Sequence, residues 1–565
     1  MDAIHDNRRL EHAFDFGLQQ NKNRRTRNDL LRILRHPCFR RSDRTILILA
    51  VMPSFIELFA GCGGLSLGLR AAGFNELMAN ELSSMPAETF ALNLMGVDMR
   101  SDDFAATRPS DRPVLWLDPV SDDMDKRLAD NPFERPETDM SEVADAGDLT
   151  GRLVVGDIRR LNDLADRLGH PLIKGDVDLV SGGPPCQSFS LAGRREFGNQ
   201  RNQLPFEFAR FVERQRPRMV LLENVEGILR PFKLEDRTYY AWFEVCKAFA
   251  SIGYATRPLL INARNCGVAQ NRPRFVMLAV RMDLAMFLSA PTAPLFAQGM
   301  RLINAVGHGD VDYNQDAWKV LDLTGADAAD KTAGTVLEPL TAFCDPGRQR
   351  TVSDAIRDLE EERNHRRSDY VRDLNDILTP ALADPKRRMA NLSHPNSTPR
   401  VRARFRVYQT MAGMDKAAVA DVKAVIRGDA LHVSAATAKA LLSADLLPYD
   451  EFNPPIDEAE LDAYLSGLHT RKFSQKALRA NEPAPAALSI PDDICHYREA
   501  RTLSVREMAR IQSFPDSFEF RGIPTTGGAR RRYQVPQYTQ IGNAVPPLMA
   551  RRLGMVVNAI LKELE

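Results

Sequence analysis

Four side chains in this sequence have the types and settings that covalent nucleophilic chemistry needs. Cys186 lies in Gly182-Gly183-Pro184-Pro185-Cys186-Gln187-Ser188, directly after the apolar run Val177-Asp178-Leu179-Val180. The glycines permit a sharp turn and a close approach to a ligand. The prolines fix φ and remove two backbone donors, so the loop cannot continue as a central strand. The outcome is a rigid loop at a strand end that presents one thiol, a candidate nucleophile. A buried structural cysteine in a tight turn fits the same residues. Glu223 follows the run Arg218 to Leu222 and so falls at the same sheet edge. Adjacent strands lie about 4.8 Å apart, close enough for thiol and acid to face one ligand. A helix N-terminal acid is the alternative reading of Glu223. Arg272 and Arg274 stand two apart, just before the apolar run Val276 to Val280. In an extended backbone they share a face, where they could bind a phosphate or a carbonyl oxygen and lower a nearby thiol pKa. Solvated arginines at a strand start would have the same spacing.

These groups need a scaffold, and the upstream sequence supplies one. Phe55 to Phe59 reads as a strand, Ala60-Gly61-Cys62-Gly63-Gly64 as a turn, and Leu65 to Ala72 as a helix stopped by Gly73. Strand, Gly-rich turn and helix form the first unit of a nucleotide-binding α/β fold. A second strand, Glu76 to Ala79, ends at Asn80-Glu81, and a third, Leu153 to Val155, ends at Gly156-Asp157-Ile158. An acid about 20 residues past the turn is where such folds hydrogen-bond ribose hydroxyls. Asp157 could accept a bond from an adenine amine, with Ile158 against the ring. The turn lacks the Lys-Ser/Thr pair of a phosphate-gripping loop, which disfavours ATP. An adenosine ligand without a triphosphate, such as S-adenosylmethionine, fits better.

The composition sets outer bounds. At 565 residues the chain is long enough for two or more lobes. Lys+Arg and Asp+Glu both number 75, so any nucleic-acid surface must come from local patches. The seven cysteines are scattered with no CxxC pair, which argues against a zinc site or a disulfide framework and suits a reducing cytoplasm. No apolar stretch approaches the ~18–20 residues of a membrane span. The basic stretch Lys22 to Arg44 reads as a solvated extension, so residues 1–51 are expected outside the folded unit, with Met52 as an alternative start.

In order along the chain, the blocks are Phe59-Ala60-Gly61-Cys62-Gly63-Gly64, Glu81, Asp157, Gly183-Pro184-Pro185-Cys186-Gln187, Arg201 to Leu204, Glu223-Asn224-Val225 and Gln270-Asn271-Arg272-Pro273-Arg274. Later come Arg501 to Glu507, Gln512-Ser513-Phe514-Pro515-Asp516 and Gln540-Ile541-Gly542-Asn543-Ala544-Val545-Pro546-Pro547. This series resembles the C5-cytosine DNA methyltransferases, over Phe55 to about Arg281 and from about Tyr497 to the end. The resemblance implies an α/β fold: a Rossmann-like, S-adenosylmethionine-dependent methyltransferase core with a second, variable target-recognition lobe, mixed and partly helical. It implies a catalytic and cofactor lobe over 52–290, a recognition lobe over 291–488 and a return to the catalytic lobe over 489–565. Cys186 would add to carbon 6 of a cytosine flipped out of duplex DNA. Glu223 would carry the proton for N3, which requires a raised pKa. Arg274 would bind the cytosine carbonyl, with Arg272 supporting it and the thiolate. Phe59 would stack on adenine, Gly61, Gly63, Gly64 and Leu65 would cradle the methionine part, Glu81 would hold the ribose, Asp157 and Ile158 the adenine, and Asn543 would complete the pocket. Arg506-Glu507 and Gln512 to Asp516 would hold the lobes together. No metal is required.

The resemblance also fixes the partners to be expected: double-stranded DNA, with a cognate restriction endonuclease as a candidate, in a monomeric prokaryotic protein of the cytoplasm and nucleoid that does not engage a membrane. An RNA (tRNA) cytosine-5 methyltransferase of the same family, or a catalytically inactive DNA-binding relative, are the alternatives. The large middle region favours DNA, and the intact Cys186, Glu223, Arg272 and Arg274 favour activity. The segment 97–150 is longer than the family's spacing; its middle, Ser121 to Asp148, is acidic and polar and reads as a surface insertion away from DNA. Pro385 to Arg406 is the basic stretch of the middle region. Thr398-Pro399 and Gly413 bracket a helix there, and Ala417 to Ile426, Ser434 to Leu442 and Pro455 to Leu465 also read as helices. The last helix carries an apolar stripe, Leu553, Val557, Ile560, Leu561 and Leu564, expected to pack on the catalytic lobe.

Overall fold

Alternation decides the sheet. In Met219-Val220-Leu221-Leu222, Val220 and Leu222 enter one apolar core while Met219 and Leu221 enter another on the opposite face. A strand buried on both faces belongs inside a parallel sheet covered by helices. The computed structural model describes residues 52–136, 141–144, 148–185, 203–234, 237–309, 311–361, 365–472, 474–486 and 491–564. The basic extension, Arg201 and Cys186 itself lie outside the described residues. The central sheet has nine strands: β1 Ser54–Leu58, β2 Asn75–Glu81, β3 Val114–Trp116, β4 Arg152–Val155, β5 Leu179–Gly182, β6 Met219–Val225, β7 Tyr254–Asn262, β8 Pro273–Arg281 and β9 Leu321–Asp322. Their order is β9-β7-β8-β6-β5-β1-β2-β4-β3. Strands β1 to β6 run parallel, and β8 is antiparallel to both neighbours, β6 and β7. The expected Rossmann-like α/β core is therefore present, with β1 beside the central strand β5 and strand order reversing there, the arrangement that opens a crevice at the carboxyl ends.

Helix α1, Gly64–Ala71, leaves the turn after β1; α2, Ser84–Phe90, follows β2; α3, Ile158–Leu168, follows β4. Two more, α4 Leu204–Gln215 and α5 Ala241–Ser251, cover the face built around Phe208, Trp242 and Phe249. Residues just past 291 also pack on the central sheet. Helix α6, Ala293–Gly307, lies on β7 so closely that a Cβ on Gly299 would stand 2.2 Å from the Thr256 nitrogen. Strand β9 then pairs with β7, and Leu337 and Leu340 still belong to the large lobe's core. The long segment 97–150 adds a strand before its acidic middle: β3 pairs with β4 at the sheet edge, with Trp116 buried.

The middle region carries the expected helices as α7 Pro399–Met411, α8 Lys416–Arg427, α9 Ala435–Leu442 and α10 Glu458–Gly467. Thr398, Asp415, Ser434 and Asp457 cap their N-termini with side-chain oxygens. Phe405, Tyr408, Val425, Leu441 and Leu465 form their own core. Helices α11 Val505–Ile511, α12 Gln537–Asn543 and α13 Pro547–Glu563 close the chain. The stripe Leu553, Val557, Ile560, Leu561 and Leu564 is buried. It docks on α1, where a Cβ on Gly68 would meet Ala550 Cβ at 2.3 Å and Pro547 O at 2.5 Å. Among the described residues no single helix is long and apolar enough to cross a membrane.

Candidate active site

Two neighbouring strand ends hold the acid and the loop that leads to the thiol. Gly182 of β5 pairs with Leu222 of β6, so Glu223 is the next residue beyond the pair. A Cβ on Gly183 would stand 3.0 Å from Glu223 Oε2; the missing side chain lets the loop lie directly on the carboxyl. Asn224 donates from Nδ2 to the Pro184 carbonyl at 2.9 Å. Loop and acid are thus locked together one residue before Pro185, and Cys186 is the first residue past the described segment. Asn224 sits in a block that marked it only as a neighbour of Glu223; its amide type after a strand-end acid was the available signal.

Glu223 is buried and paired, which removes the helix-terminus reading. Arg274 Nε lies 2.9 Å from Glu223 Oε1. Burial pushes the Glu223 carboxyl above its usual range, opposed by the charges of Arg274 and Arg272. Burial also pulls the Arg274 guanidinium down, opposed by Glu223. A carboxyl held with a raised pKa is the state expected of a proton donor. Neither arginine is a solvated strand start. Arg272 is 2% exposed and its Nη2 donates to Gly542 O at 2.7 Å and to Ala544 O at 3.3 Å. It thereby holds the loop that carries Asn543, while its expected support of the thiolate concerns Cys186, outside the described residues. Gln512 Nε2 grips the same loop at Ile541 O and Ala544 O, 3.2 and 2.9 Å. Asn543, at the end of α12, remains exposed.

The cofactor side is built on the ends of β1, β2 and β4. Phe59 leaves β1 with φ +58, an unusual conformation for an aromatic residue, and its ring stacks on Phe208 at 6.5 Å. Gly61 has φ +55, donates its N–H to Glu81 Oε2 at 2.8 Å, and has open space where a Cβ would point. A Cβ on Gly63 would meet Leu94 at 2.5 Å and one on Gly64 would meet Val545 O at 2.4 Å. These positions have no room for a side chain, so the turn presents backbone. The Leu65 side chain is buried in the core under α1, so only its backbone could join the turn. Glu81 Oε1 accepts from Ser83 N at 2.8 Å, and burial raises its pKa while these two N–H donors and Arg135 lower it. The Glu81 carbonyl accepts from Gly156 N at 2.9 Å, bringing Asp157 alongside. Asp157 caps α3 by accepting from Arg159 N at 2.9 Å, while Ile158 is buried in the core on the α4 face. Open backbone at Gly61 beside an oriented carboxylate and a second acid fits the adenosine and amino-acid parts of S-adenosylmethionine.

The late blocks tie α11 to residues 358 and 390 with buried polar groups. Arg506 donates to Ala390 O at 3.1 Å, to Pro515 O at 2.9 Å and to Phe518 O. Arg510 pairs with Asp516 at 2.7 Å and Asp358 at 2.6 Å. Glu507 closes a capping box with Ser504 and pairs with Arg501.

A family model described as C-5 cytosine-specific DNA methylase matches residues 53–113 and 150–559. The chain is 26% identical over 506 residues to the Type II methyltransferase M.DdeI of Desulfomicrobium norvegicum, covering 88% of this chain and 87% of that protein. It is 24% identical over 519 residues to the Type II methyltransferase M.XorII of Xanthomonas oryzae pv. oryzae, with 91% and 86% covered. The DNA (cytosine-5)-methyltransferase 1 of Mus musculus is 24% identical over 548 residues, with 90% of this chain and 28% of that protein covered.

Proposed function

The chain belongs to the C-5 cytosine-specific DNA methylase family and is a DNA (cytosine-5)-methyltransferase, and we propose that it works through Cys186, Glu223 and Arg274. The observation that carries this reading is the buried Glu223–Arg274 pair lying against Gly183, with Asn224 holding the Pro184 carbonyl. That geometry starts the Cys186 loop on top of the acid.

Carbon 5 of cytosine is a poor nucleophile. S-adenosylmethionine, when bound, supplies an electrophilic methyl group. The Cys186 thiolate forms a bond to carbon 6, and the displaced electron pair is accommodated as Glu223 delivers its proton to N3. Carbon 5, now enamine-like, would take the methyl group as its bond to the sulfonium sulfur breaks and S-adenosylhomocysteine is left. A base removes the carbon 5 proton, the carbon–sulfur bond breaks, Cys186 leaves as thiolate, and the N3 proton returns to Glu223. Arg274 stabilises the charge on the cytosine carbonyl oxygen. The base must leave the duplex stack for the thiol to reach its face. No step calls for a metal. Glu81, Asp157, Asn543 and the Gly61 to Gly64 backbone hold the cofactor.

The helices α7 to α10 and the chain around them form the recognition region, where phosphate contacts position the duplex and base contacts specify it. Relatives named Type II methyltransferases favour a cognate restriction endonuclease as partner; the working form proposed is a cytoplasmic, nucleoid-associated monomer. Duplex DNA containing 5-fluorocytosine at the target should trap a covalent adduct, because fluorine cannot leave carbon 5 as a cation. The adduct should map to Cys186, and Cys186→Ser should bind cofactor without turnover. Full activity in Cys186→Ser, or methylation of structured RNA and never DNA, would overturn the reading. Bisulfite sequencing of DNA from expressing cells identifies the modified cytosine.

A further inference from the structure

A balanced composition leaves any nucleic-acid surface to local patches, and one stands at the entrance to α12. From Phe520 to Lys562 the sequence holds no Asp or Glu, while Arg521, Arg530, Arg531 and Arg532 fall in its first part. Residues 522–532 are exposed, with Thr526 alone half-buried. Gly522 turns the loop at φ +85 and Gly528 at φ +59, and both have open space where a Cβ would point. Gly528–Arg532 closes as a short 3-10 turn.

The base of this loop is pinned to α12. Gln537 Nε2 donates to Gly522 O at 2.8 Å and to Phe520 O at 3.1 Å, and Gln537 N donates to Ile523 O at 3.0 Å. Gln540 Nε2 donates to Arg521 O at 3.2 Å and to Val535 O at 3.0 Å, tying the two limbs together. Nearer the tip, Thr526 Oγ1 donates to Gln534 Oε1 at 2.6 Å and Arg531 Nε donates to Thr526 O at 3.0 Å. With three residues per turn, Arg530, Arg531 and Arg532 fan out around the turn instead of stacking on one face. Arg531 folds back on the loop. The side chains of Arg530 and Arg532 have no hydrogen-bond or carboxylate partner among the described residues. Solvated arginines need no such frame.

The loop shares a groove with the recognition region. That groove, about 760 Å³, is lined by Arg521 to Thr525 and by Ser393, His394 and Pro395, which lead into α7. Its two lining acids are already matched: Glu88 pairs with Arg100 at 2.6 Å and Glu519 with Arg521 at 3.2 Å. They leave the charge at the loop tip uncompensated. From the loop's base, α12 runs the seven residues to Asn543, about 10 Å at 1.5 Å per residue. Asn543 lies on the backbone held by Arg272 and Gln512. The target cytosine must meet the cofactor methyl there, and each DNA strand carries a phosphate about every 3.4 Å along the axis. The length of α12 thus corresponds to about three nucleotides. Guanidiniums that point apart from a fixed base suit a run of phosphates better than one small anion.

We infer that the loop Gly522 to Tyr533 is a clamp on the sugar–phosphate backbone of duplex DNA beside the target, and that Arg530 and Arg532 are positioning residues that neutralise phosphates and read no base. The inference rests on duplex DNA being the substrate. Such contacts fix register and affinity without carrying sequence. Fluorescence anisotropy with a labelled random-sequence duplex, on native protein and on the double variant Arg530→Gln, Arg532→Gln, tests it across salt concentrations. The slope of log affinity against log salt should fall by about 0.9 for each arginine removed, which is about fivefold in affinity per arginine at 0.15 M salt. Lysine at both positions should recover most of the loss, and glutamate at both should deepen it. On plasmid DNA the KM for DNA should rise, while kcat, the KM for S-adenosylmethionine, the thermal midpoint and the cytosines reported by bisulfite sequencing stay as in native protein. An unchanged affinity and salt slope in the double variant would overturn the inference. So would a loss confined to the target sequence, which would mean base reading, or a loss of S-adenosylhomocysteine binding in place of duplex binding. Native protein that binds and methylates structured RNA but no duplex DNA would overturn the DNA reading itself.

Discussion

Replacing Glu223 with glutamine tests the proton donor directly. Glutamine keeps the shape and can still accept from Arg274 Nε through its carbonyl oxygen, but it has no proton to give to N3. Loss of a positioned general acid costs about 10²- to 10⁴-fold in rate, or about 2.7–5.4 kcal/mol of transition-state stabilisation. The structure adds a second term. Arg274 stands 2.9 Å from Glu223 in a site where both side chains are about one-tenth exposed. Breaking a buried pair outright costs about 3–5 kcal/mol, and the retained carbonyl contact should hold the stability loss below that range. Glu223→Gln should therefore fold, bind S-adenosylhomocysteine as native does, and lose kcat by at least about a hundredfold. The pH profile makes the test specific. Burial raises the Glu223 pKa, so its protonated form is present below that value and is lost as pH climbs through it. Native kcat should show a falling limb on the alkaline side, and that limb should be missing in the residual activity of Glu223→Gln. The same sign applies to stability: protonated Glu223 favours the fold, and the contribution disappears as pH rises through the raised value. Steady-state rates on target duplex between pH 5.5 and 9 decide the matter. A variant within threefold of native, or one retaining the alkaline limb, would refute the assignment.

Gly68→Ala should destabilise the protein by about 1–3 kcal/mol, seen as a lower thermal midpoint, because its Cβ would meet two backbone atoms and a side chain of α13 within 2.6 Å. Gly73→Ala, with open space at its Cβ, should cost only the strain of φ +91. Arg272→Ala should raise the KM for S-adenosylmethionine more than it lowers kcat, and Arg274→Ala should do the reverse; identical effects in both would contradict the geometry. Ser66 Oγ contacts the carboxyls of both Glu57 and Glu76, and one hydroxyl proton cannot serve two carboxylates. Burial lifts Glu76 to about 7, and burial plus the charge of Glu76 lifts Glu57 well above its usual range. Both shifts are upward, so their stabilisation is complete below about 4.5 and should fade as pH rises through about 7; thermal unfolding from pH 5 to 8.5 should show that slope in native protein and a flatter one in Glu76→Gln.

Strands with unbroken apolar runs and strand ends marked by acids were legible in the sequence, which is why β1, β2, β4, β5, β6 and β8 could be placed. Strand β7 was not, because Arg257 and Pro258 interrupt Tyr254–Asn262. The proline is tolerated there because β9 pairs with β7 only at Leu259 and Leu260, leaving the rest of that edge without a partner strand. Strand β3 is three residues long, too short for periodicity to mark. The docking of α6 on β7 was hidden for a related reason: it depends on the absence of a side chain at Gly299, which no apolar pattern reveals. Within the site, residue types announced Glu223, Arg274 and Glu81, while the hydrogen bonds of Asn224 and Gln512 needed coordinates.

Arg272 and Arg274 show where spacing alone stops being informative. Two residues apart in an extended chain share a face only if the strand runs through both. Here Arg272 lies between the short strand Gln270–Asn271, which pairs with Ala484–Pro485, and β8, which begins at Pro273. Pro273 cannot donate to a ladder, so the chain changes partners at that point. Arg274 continues with β8 beside Val225 and meets Glu223. Arg272 turns inward, and its planar fork suits carbonyls better than a thiolate because the loop at 542–544 offers two of them. The same loop is held by Gln512 from just beyond α11. The backbone on either side of Asn543 is thus held by one group from residue 272 and one from residue 512, far apart in sequence. A single motif thereby holds two places at once, with Arg274 on Glu223, the proposed proton donor, and Arg272 on the loop that carries Asn543.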